Sequence, residues 1–281
     1  MRDLVTTEWL AQRLGDPALR IVDVRWYLDP ARKGRDAYAA AHIPRAVFLD
    51  VDADLSAPGG GRGRAVGRHP WPSAEQVSRI MGGAGIGRGT RVVAYDDQGG
   101  AVAARLWYLL RAHGHDDVAV LDGGIVKWMA EGRPVTTEVP SVPAATFDAR
   151  LRPGFVLTKA DMLARDPARP LLDARAAERY RGETEPVDLR AGHVPGALNA
   201  PFSGNLTGGA QPVFLPPAQL RERYAALGAE DAAPVVYCGS GVTACHDLLA
   251  LHLAGLAGSL YAGSWSEWSA DESLPAATGN E

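Results

Sequence analysis

The residues with the clearest chemical potential lie in VVYCGSGVTACHDLLAL, Val235–Leu251. An apolar run ends at Cys238, two glycines follow within three residues, and a helix-like stretch begins at Val242. A strand–loop–helix turn of this kind aims successive backbone N–H groups at the sulfur, and the helix start adds a positive partial charge. Both favour the thiolate over the thiol and would hold a persulfide anion, Cys–S–S⁻, equally well. Gly239 and Gly241 leave room for so tight a ring. By habit a cysteine after a strand is a small buried hydrophobe. The glycines and the helix start set Cys238 apart from that habit, whereas Cys245, seven residues on, reads as core. Ser240 and Thr243 supply hydroxyls that could simply cap the helix. A cysteine phosphatase would need an arginine six residues after the nucleophile to clamp phosphate. Position 244 is alanine, which disfavours that chemistry.

A nucleophile at a strand end needs a parallel sheet behind it, and the chain contains the pattern of one twice. IVDVRWYLDP (Ile21–Pro30) resembles LLDARAAERY (Leu171–Tyr180), and AAHIPRAVFLDVD (Ala40–Asp52) resembles AGHVPGALNAPFS (Ala191–Ser203). RVVAYDDQGG (Arg91–Gly100) parallels the Cys238 segment, and LDGGIVKWMAEGRPV (Leu121–Val135) parallels YAGSWSEWSADESLP (Tyr261–Pro275). The pairs Asp23/Asp173, His42/His193, Asp96/Cys238 and Trp128/Trp268 are offset by 150, 151, 142 and 140 residues. So long a period means a duplicated domain, not a solenoid. Apolar strands are expected at Arg20–Val24, Arg91–Tyr95 and Val118–Leu121, then at Pro170–Leu172, Pro234–Tyr237 and Ser259–Tyr261. They alternate with helical stretches such as Ala101–His113 and Val242–Ala254. Strands without polar alternation, separated by helices, predict an α/β fold with a parallel sheet flanked by helices in each copy. The expected domains are residues 1–138 and 155–281. Residues 139–154 are the expected linker, since Thr136–Thr146 carries prolines and valines without helical period.

Composition narrows the field. The chain has 281 residues, a soft prior for two domains. Its 46% hydrophobic and 22% charged content excludes wholesale disorder. With 29 Lys+Arg against 33 Asp+Glu, no general electrostatic case for nucleic acid exists. Two cysteines build neither a disulfide framework nor a four-thiolate zinc site. The N-terminal MRDLVTTEWLAQRLGD reads as an amphipathic helix and not as a signal peptide. The uncharged run Leu248–Ser266 holds three glycines and a histidine, which fits a buried helix, turn and strand better than a membrane span. A soluble, cytoplasmic protein without membrane association is expected. Gly59–Arg68 (GGGRGRAVGR) reads as a flexible, basic, solvated insertion, and it lacks the G-x-G-x-x-G pattern.

These motifs together resemble the tandem-domain rhodanese family, the thiosulfate and 3-mercaptopyruvate sulfurtransferases. The resemblance covers nearly the whole chain: the His-Ile-Pro and His-Val-Pro-Gly-Ala segments, the Gly-Gly and Gly-Ser-Trp segments near each domain end, and the C-G-S-G-V-T-A loop. In the family C-G-S-G-V-T accompanies mercaptopyruvate and C-R-K-G-V-T accompanies thiosulfate. The first domain lacks the cysteine and is inactive, and here Asp96 stands in its place. The physical contrast is reasonable, because thiosulfate is a dianion that paired basic residues would hold. Mercaptopyruvate leaves a pyruvate enolate that must be protonated, and Ser240 offers a relaying hydroxyl while Gly239 and Ser240 add no charge.

The resemblance further implies that Gly239, Gly241, Val242 and Thr243 line the substrate. It also implies that Arg179, which by residue type alone reads as a surface arginine, meets the substrate carboxylate as a bidentate fork. Mercaptopyruvate-type members carry a second arginine after Glu-Pro. Here Glu185-Pro186 is followed by Val187, and Arg190 is the expected substitute. An Asp–His–Ser relay is implied for Asp52, His69 and Ser240, although His69 before a proline reads alone as a loop histidine. His42 and His193 recur in both copies and are therefore expected to be structural. The implied activity is transfer of sulfur from the small-molecule donor 3-mercaptopyruvate through a Cys238 persulfide to cyanide or a thiol such as thioredoxin. No metal or organic cofactor is called for. The alternatives are a thiosulfate sulfurtransferase of the same fold and a non-catalytic sulfur carrier or scaffold.

Overall fold

The computed structural model describes residues 1–280 and divides into two compact units. The first comprises Met1–Leu55, Pro72–Arg152 and Gly208–Phe214. The second comprises Ser56–Trp71, Pro153–Thr207 and the residues from Leu215 onward. Three segments thus depart from the ranges read off the repeat. Ser56–Trp71 groups with the second unit because Gly67 and Arg68 seat on Ser266, where the Arg68 N–H donates to Oγ at 3.0 Å. Gly208–Phe214 groups with the first, where the Phe214 N–H donates to Asp122 Oδ1 at 2.9 Å. The expected linker joins the first unit up to Arg152. Phe147 and Ala149 are buried there, and the Ala145 and Arg152 N–H groups donate to the carbonyls of Gly82 and Ala112.

The first unit runs β1 (Leu4–Val5), α1 (Thr7–Ala11), β2 (Leu19–Asp23), α2 (Gly34–Ala40), β3 (Val47–Phe48), α3 (Ala74–Gly83), β4 (Arg91–Tyr95), α4 (Ala103–Ala112), β5 (Val118–Leu121) and α5 (Gly124–Ala130). The second runs β6 (Val156–Leu157), α6 (Lys159–Leu163), β7 (Leu171–Asp173), α7 (Ala177–Tyr180), β8 (Ala197–Asn199), a 3₁₀ turn (Phe202–Asn205), α8 (Pro217–Ala225), β9 (Val235–Tyr237), α9 (Ala244–Leu253), β10 (Ser259–Tyr261) and α10 (Ser264–Trp268). The sheets have orders β1-β5-β4-β2-β3 and β6-β10-β9-β7-β8, the same topology twice, with every pair parallel. The central strands are buried on both faces, which is why they show no polar alternation. The edge strands β1, β3, β6 and β8 have only two or three residues, too few to carry a periodic signal. The N-terminal segment is accordingly a short strand followed by a five-residue helix, not one amphipathic helix, because Leu4 and Val5 pair with β5.

Two buried devices repeat in each unit. Arg25 grips Asp23 with Nε and Nη2 (2.6 Å for the latter) and donates to the Ala41 carbonyl; Arg175 does the same with Asp173 and the Gly192 carbonyl. Breaking such a buried pair costs about 3–5 kcal/mol, since one charge is left behind. His42 and His193 stack on Tyr38 and Tyr180 at 3.9 and 3.8 Å between ring centroids, and each Nδ1 bonds that tyrosine's own carbonyl oxygen. The paired histidines are therefore scaffold, as their recurrence suggests.

Candidate active site in the second unit

β9 ends at Tyr237, and Cys238 is the next residue, 2% exposed. The chain turns through Gly239, Ser240 and Gly241, whose φ of +74° is a left-handed conformation costly for a side chain. The Gly241 N–H then points back at Cys238 Sγ at 3.1 Å. Backbone bonds from α10 hold the loop from beneath. The N–H groups of Trp265 and Ser266 donate to the carbonyls of Cys238 and Gly239, each at 2.9 Å. Ser264 Oγ accepts the Cys238 N–H at 3.2 Å. Val242 is buried, and Thr243 is the N-cap of α9 without a side-chain cap bond. α9 is buried almost all round, as suits a helix whose sequence ACHDLLALHL has no polar face. Cys245 packs inside it, with its S–H donating to the Gly241 carbonyl at 3.3 Å.

His69 Nδ1 lies 2.7 Å from Ser240 Oγ, across 171 residues of sequence. Both side chains are buried, so this hydroxyl–imidazole pair is shielded from water beside the sulfur. Asp52 belongs to the first unit, where its Oδ2 accepts the Trp26 Nε1–H at 3.0 Å. It is not among the groups that the second unit brings to Cys238.

Arg179 is at the site. Its Nη2 donates to both carboxylate oxygens of Glu185, at 2.8 and 3.0 Å, and to Asp188 Oδ2 at 3.1 Å. Its Nη1 would lie 3.5 Å from a Cβ at Gly239. Arg190 is not at the site. Its guanidinium donates to the carbonyls of Trp268, Ser269, Asp271 and Leu274, fastening the segment after α10. All three nitrogens are engaged, which removes Arg190 as the substitute second arginine.

The residue that sequence reasoning missed is Arg68. The Gly-rich segment is exposed from Arg62 to Val66, yet Gly67 and His69 are buried and Arg68 nearly so. Arg68 reaches the Cys238 loop so closely that its Nη2 would lie 2.5 Å from a Cβ at position 239. The C-terminal end of this segment is thus part of the site and not a solvated insertion. It also brings a cation to a loop whose own side chains at 239 and 240 carry none. Burial draws the Arg68 guanidinium below its ordinary value, opposed by Asp188 and then by Cys238. Burial raises the Asp188 carboxyl against the pull of Arg68. Among the described residues no group of three or more His, Cys, Asp or Glu side chains is placed to hold a metal ion. No helix among them is long and apolar enough to cross a membrane.

Comparison with known proteins agrees with this architecture. The rhodanese-like domain model matches twice, over residues 6–131 and 158–271. A probable 3-mercaptopyruvate sulfurtransferase of Pseudomonas aeruginosa is 44% identical over 99% of this chain and 98% of its own length. A putative thiosulfate sulfurtransferase of Mycobacterium tuberculosis is 39% identical over 98% of this chain and 97% of its own. The crystal structure of the 3-mercaptopyruvate sulfotransferase SseA of Escherichia coli superposes with a TM-score of 0.81 at 30% identity, covering 94% of this chain and 99% of that one. With two matched domains, relatives aligned end to end and a cysteine at the tip of a parallel strand, the chain belongs to the tandem rhodanese family of 3-mercaptopyruvate and thiosulfate sulfurtransferases.

Proposed function

We propose that this sulfurtransferase takes its sulfur from 3-mercaptopyruvate, holds it as a Cys238 persulfide, and passes it to a thiol, such as that of thioredoxin, or to cyanide. The relatives carry both donor names, so the donor is argued from the site. The observation that carries the reading is the buried His69–Ser240 pair, 2.7 Å apart, beside the nucleophile. The Cys238 thiolate attacks the donor sulfur, the carbon–sulfur bond breaks, and its electron pair leaves on carbon as pyruvate enolate. The proton lost from the donor's sulfur as the persulfide ionises passes through Ser240 and His69 to the enolate carbon, giving pyruvate. Gly239, Gly241, Val242 and Thr243 form the wall that receives the donor, and Arg179 takes its carboxylate. In the second step the acceptor attacks the outer sulfur, the S–S bond breaks, and the Cys238 thiolate is regenerated. Thiosulfate needs no such protonation, because it leaves as sulfite.

The experiment is a comparison of kcat/KM for the two donors in wild type and Ser240→Ala. The expected result is a preference for 3-mercaptopyruvate that falls about 10²-fold or more in the variant while thiosulfate use stays unchanged. A wild-type preference for thiosulfate would refute the assignment. Intact mass after donor treatment should show one added sulfur, absent in Cys238→Ser.

A further inference from the structure

Val187 leaves the family's second substrate arginine missing, yet a second guanidinium stands at the loop. Its placement is built and not incidental. Gly67, at φ +78°, lies so close to α10 that a Cβ there would come 2.9 Å from the Gly263 carbonyl and 3.0 Å from Ser266 Oγ. The next N–H, that of Arg68, donates to Ser266 Oγ, and Ser266 in turn donates its N–H to Gly239. The seam therefore fixes the Arg68 backbone to the same residue that supports the Cys238 loop. Asp188, with 1% of its side chain exposed, then holds two cations. Arg68 Nε approaches Oδ1 at 3.1 Å and its Nη2 donates to Oδ2 at 3.5 Å, while Arg179 Nη2 donates to the same Oδ2 at 3.1 Å.

Two guanidinia held side by side repel one another, and a fully satisfied structural pair would need only one. Neither is fully spent by its carboxylates, since the Arg68 Nη2 bond to Asp188 is long at 3.5 Å. The bonds of Arg179 all leave from Nη2, its buried Nε has no hydrogen-bond partner in the protein, and its Nη1 turns toward Gly239. Arg68 presents Nη2 to the same place and keeps 11% of its side chain exposed. A Cβ at 239 would push the Arg68 fork aside, so glycine at 239 leaves the fork its place against the loop.

We propose that Arg68 is the second substrate-binding arginine of this site, closing with Arg179 on the carboxylate of a 2-oxo-acid donor in place of the arginine that Val187 replaces. The proposal rests on the sulfur-transfer reading above and adds the element of donor specificity that reading lacked. Planar guanidinium forks match a planar carboxylate, and two of them converging from opposite segments fix its orientation as well as its charge.

The test measures persulfide formation from 3-mercaptopyruvate and from mercaptoacetone, which has the same thiol and ketone without the carboxylate. Wild type, Arg68→Gln and Arg68→Lys are compared. The expected result is that Arg68→Gln raises KM for 3-mercaptopyruvate about 10–100-fold with kcat within about threefold, the scale of one charge-assisted bond. Arg68→Lys falls between the two, and kcat/KM for mercaptoacetone is unchanged throughout. Equal losses with both donors would mean that Arg68 merely props the loop, and an unchanged KM would mean that it does not meet the donor; either overturns the proposal. Failure of wild type to gain sulfur from either donor would instead overturn the sulfur-transfer reading, whatever the variants do.

Discussion

The loops after β4 and β9 take the same place in the two sheets and share a left-handed glycine three residues after Asp96 and Cys238, but Gly100 is left-handed too and its counterpart Val242 is not. In the first unit Asp96 Oδ1 accepts the N–H groups of Gln98 and Gly100, at 2.8 and 2.9 Å, and Oδ2 accepts those of Val102 and Ala103, at 2.7 and 2.8 Å. The repeat offset places Ser240, Val242, Ala244 and Cys245 at the corresponding positions of the second unit. There the loop begins with a cysteine, and the Gly241 N–H faces its sulfur. The first unit thus fills this place with a carboxyl that is fully buried and whose pKa burial raises against four backbone bonds. In the second unit the corresponding place holds the reactive sulfur of Cys238. The comparison teaches that one place in the repeat holds a buried carboxyl with four amide bonds in the first copy and a cysteine sulfur faced by one amide in the second.

Putting aspartate into the active loop is the most severe test of that equivalence. Cys238→Asp should abolish sulfur transfer, by at least about 10³-fold, since no sulfur remains to form the persulfide. Its fold should survive, with a urea-unfolding stability within about 1 kcal/mol of wild type, because the amides that would hold a persulfide donate to the carboxylate. A buried carboxylate without such partners would cost several kcal/mol. A loss of that size would show that the two rings are not aimed alike.

The helices behind the loops sharpen the contrast. α4 carries Arg105 and α9 carries Asp247 at matching positions, and both are fully buried. Asp247 Oδ1 accepts from Asn205 Nδ2 at 2.7 Å, in a cluster with Tyr224 and within the field of Arg223. Burial outweighs those partners and pushes its carboxyl up from 3.8 to about 7. The folded state therefore binds this proton more tightly than the unfolded state, so stability is full below about pH 4 and declines as pH rises toward 7. The whole decline is at most about 4 kcal/mol. Asp247→Asn should remove it: thermal or urea unfolding at pH 8 should show the variant more stable than wild type, with the gap closing by pH 4. An equal gap at both pH values would mean that Asp247 is ionised throughout.

Much of this is legible in the amino-acid sequence. The strands Arg91–Tyr95 and Val118–Leu121 are found as read, because a strand buried on both faces announces itself as an uninterrupted apolar run. The nucleophile was legible because its chemistry is contiguous: sulfur, glycines and helix start occupy a few successive residues. Arg68 was not. Its neighbours Asp188 and Gly239 lie 120 and 171 residues away, and the segment carrying it has the composition of solvated loop up to Val66. The available signal is His69, which the resemblance places at the site and which puts residue 68 within reach. His69 itself pairs with Ser240 across the same 171 residues, so no local pattern could show the contact.

Arg190 was misread for the converse reason, and it offers the smallest and cleanest check. Local sequence places it three residues after Val187, but nothing local shows that four carbonyls between Trp268 and Leu274 converge on it. Its counterpart in the first copy is Ala39, so this clasp belongs to the second unit alone. Arg190→Ala leaves those carbonyls without their donor, and a loss of about 1–3 kcal/mol in urea unfolding is expected. KM for the sulfur donor should stay within about twofold of wild type, in contrast to Arg68→Gln. A tenfold rise in KM with unchanged stability would return Arg190 to the substrate and take the second-arginine role from Arg68.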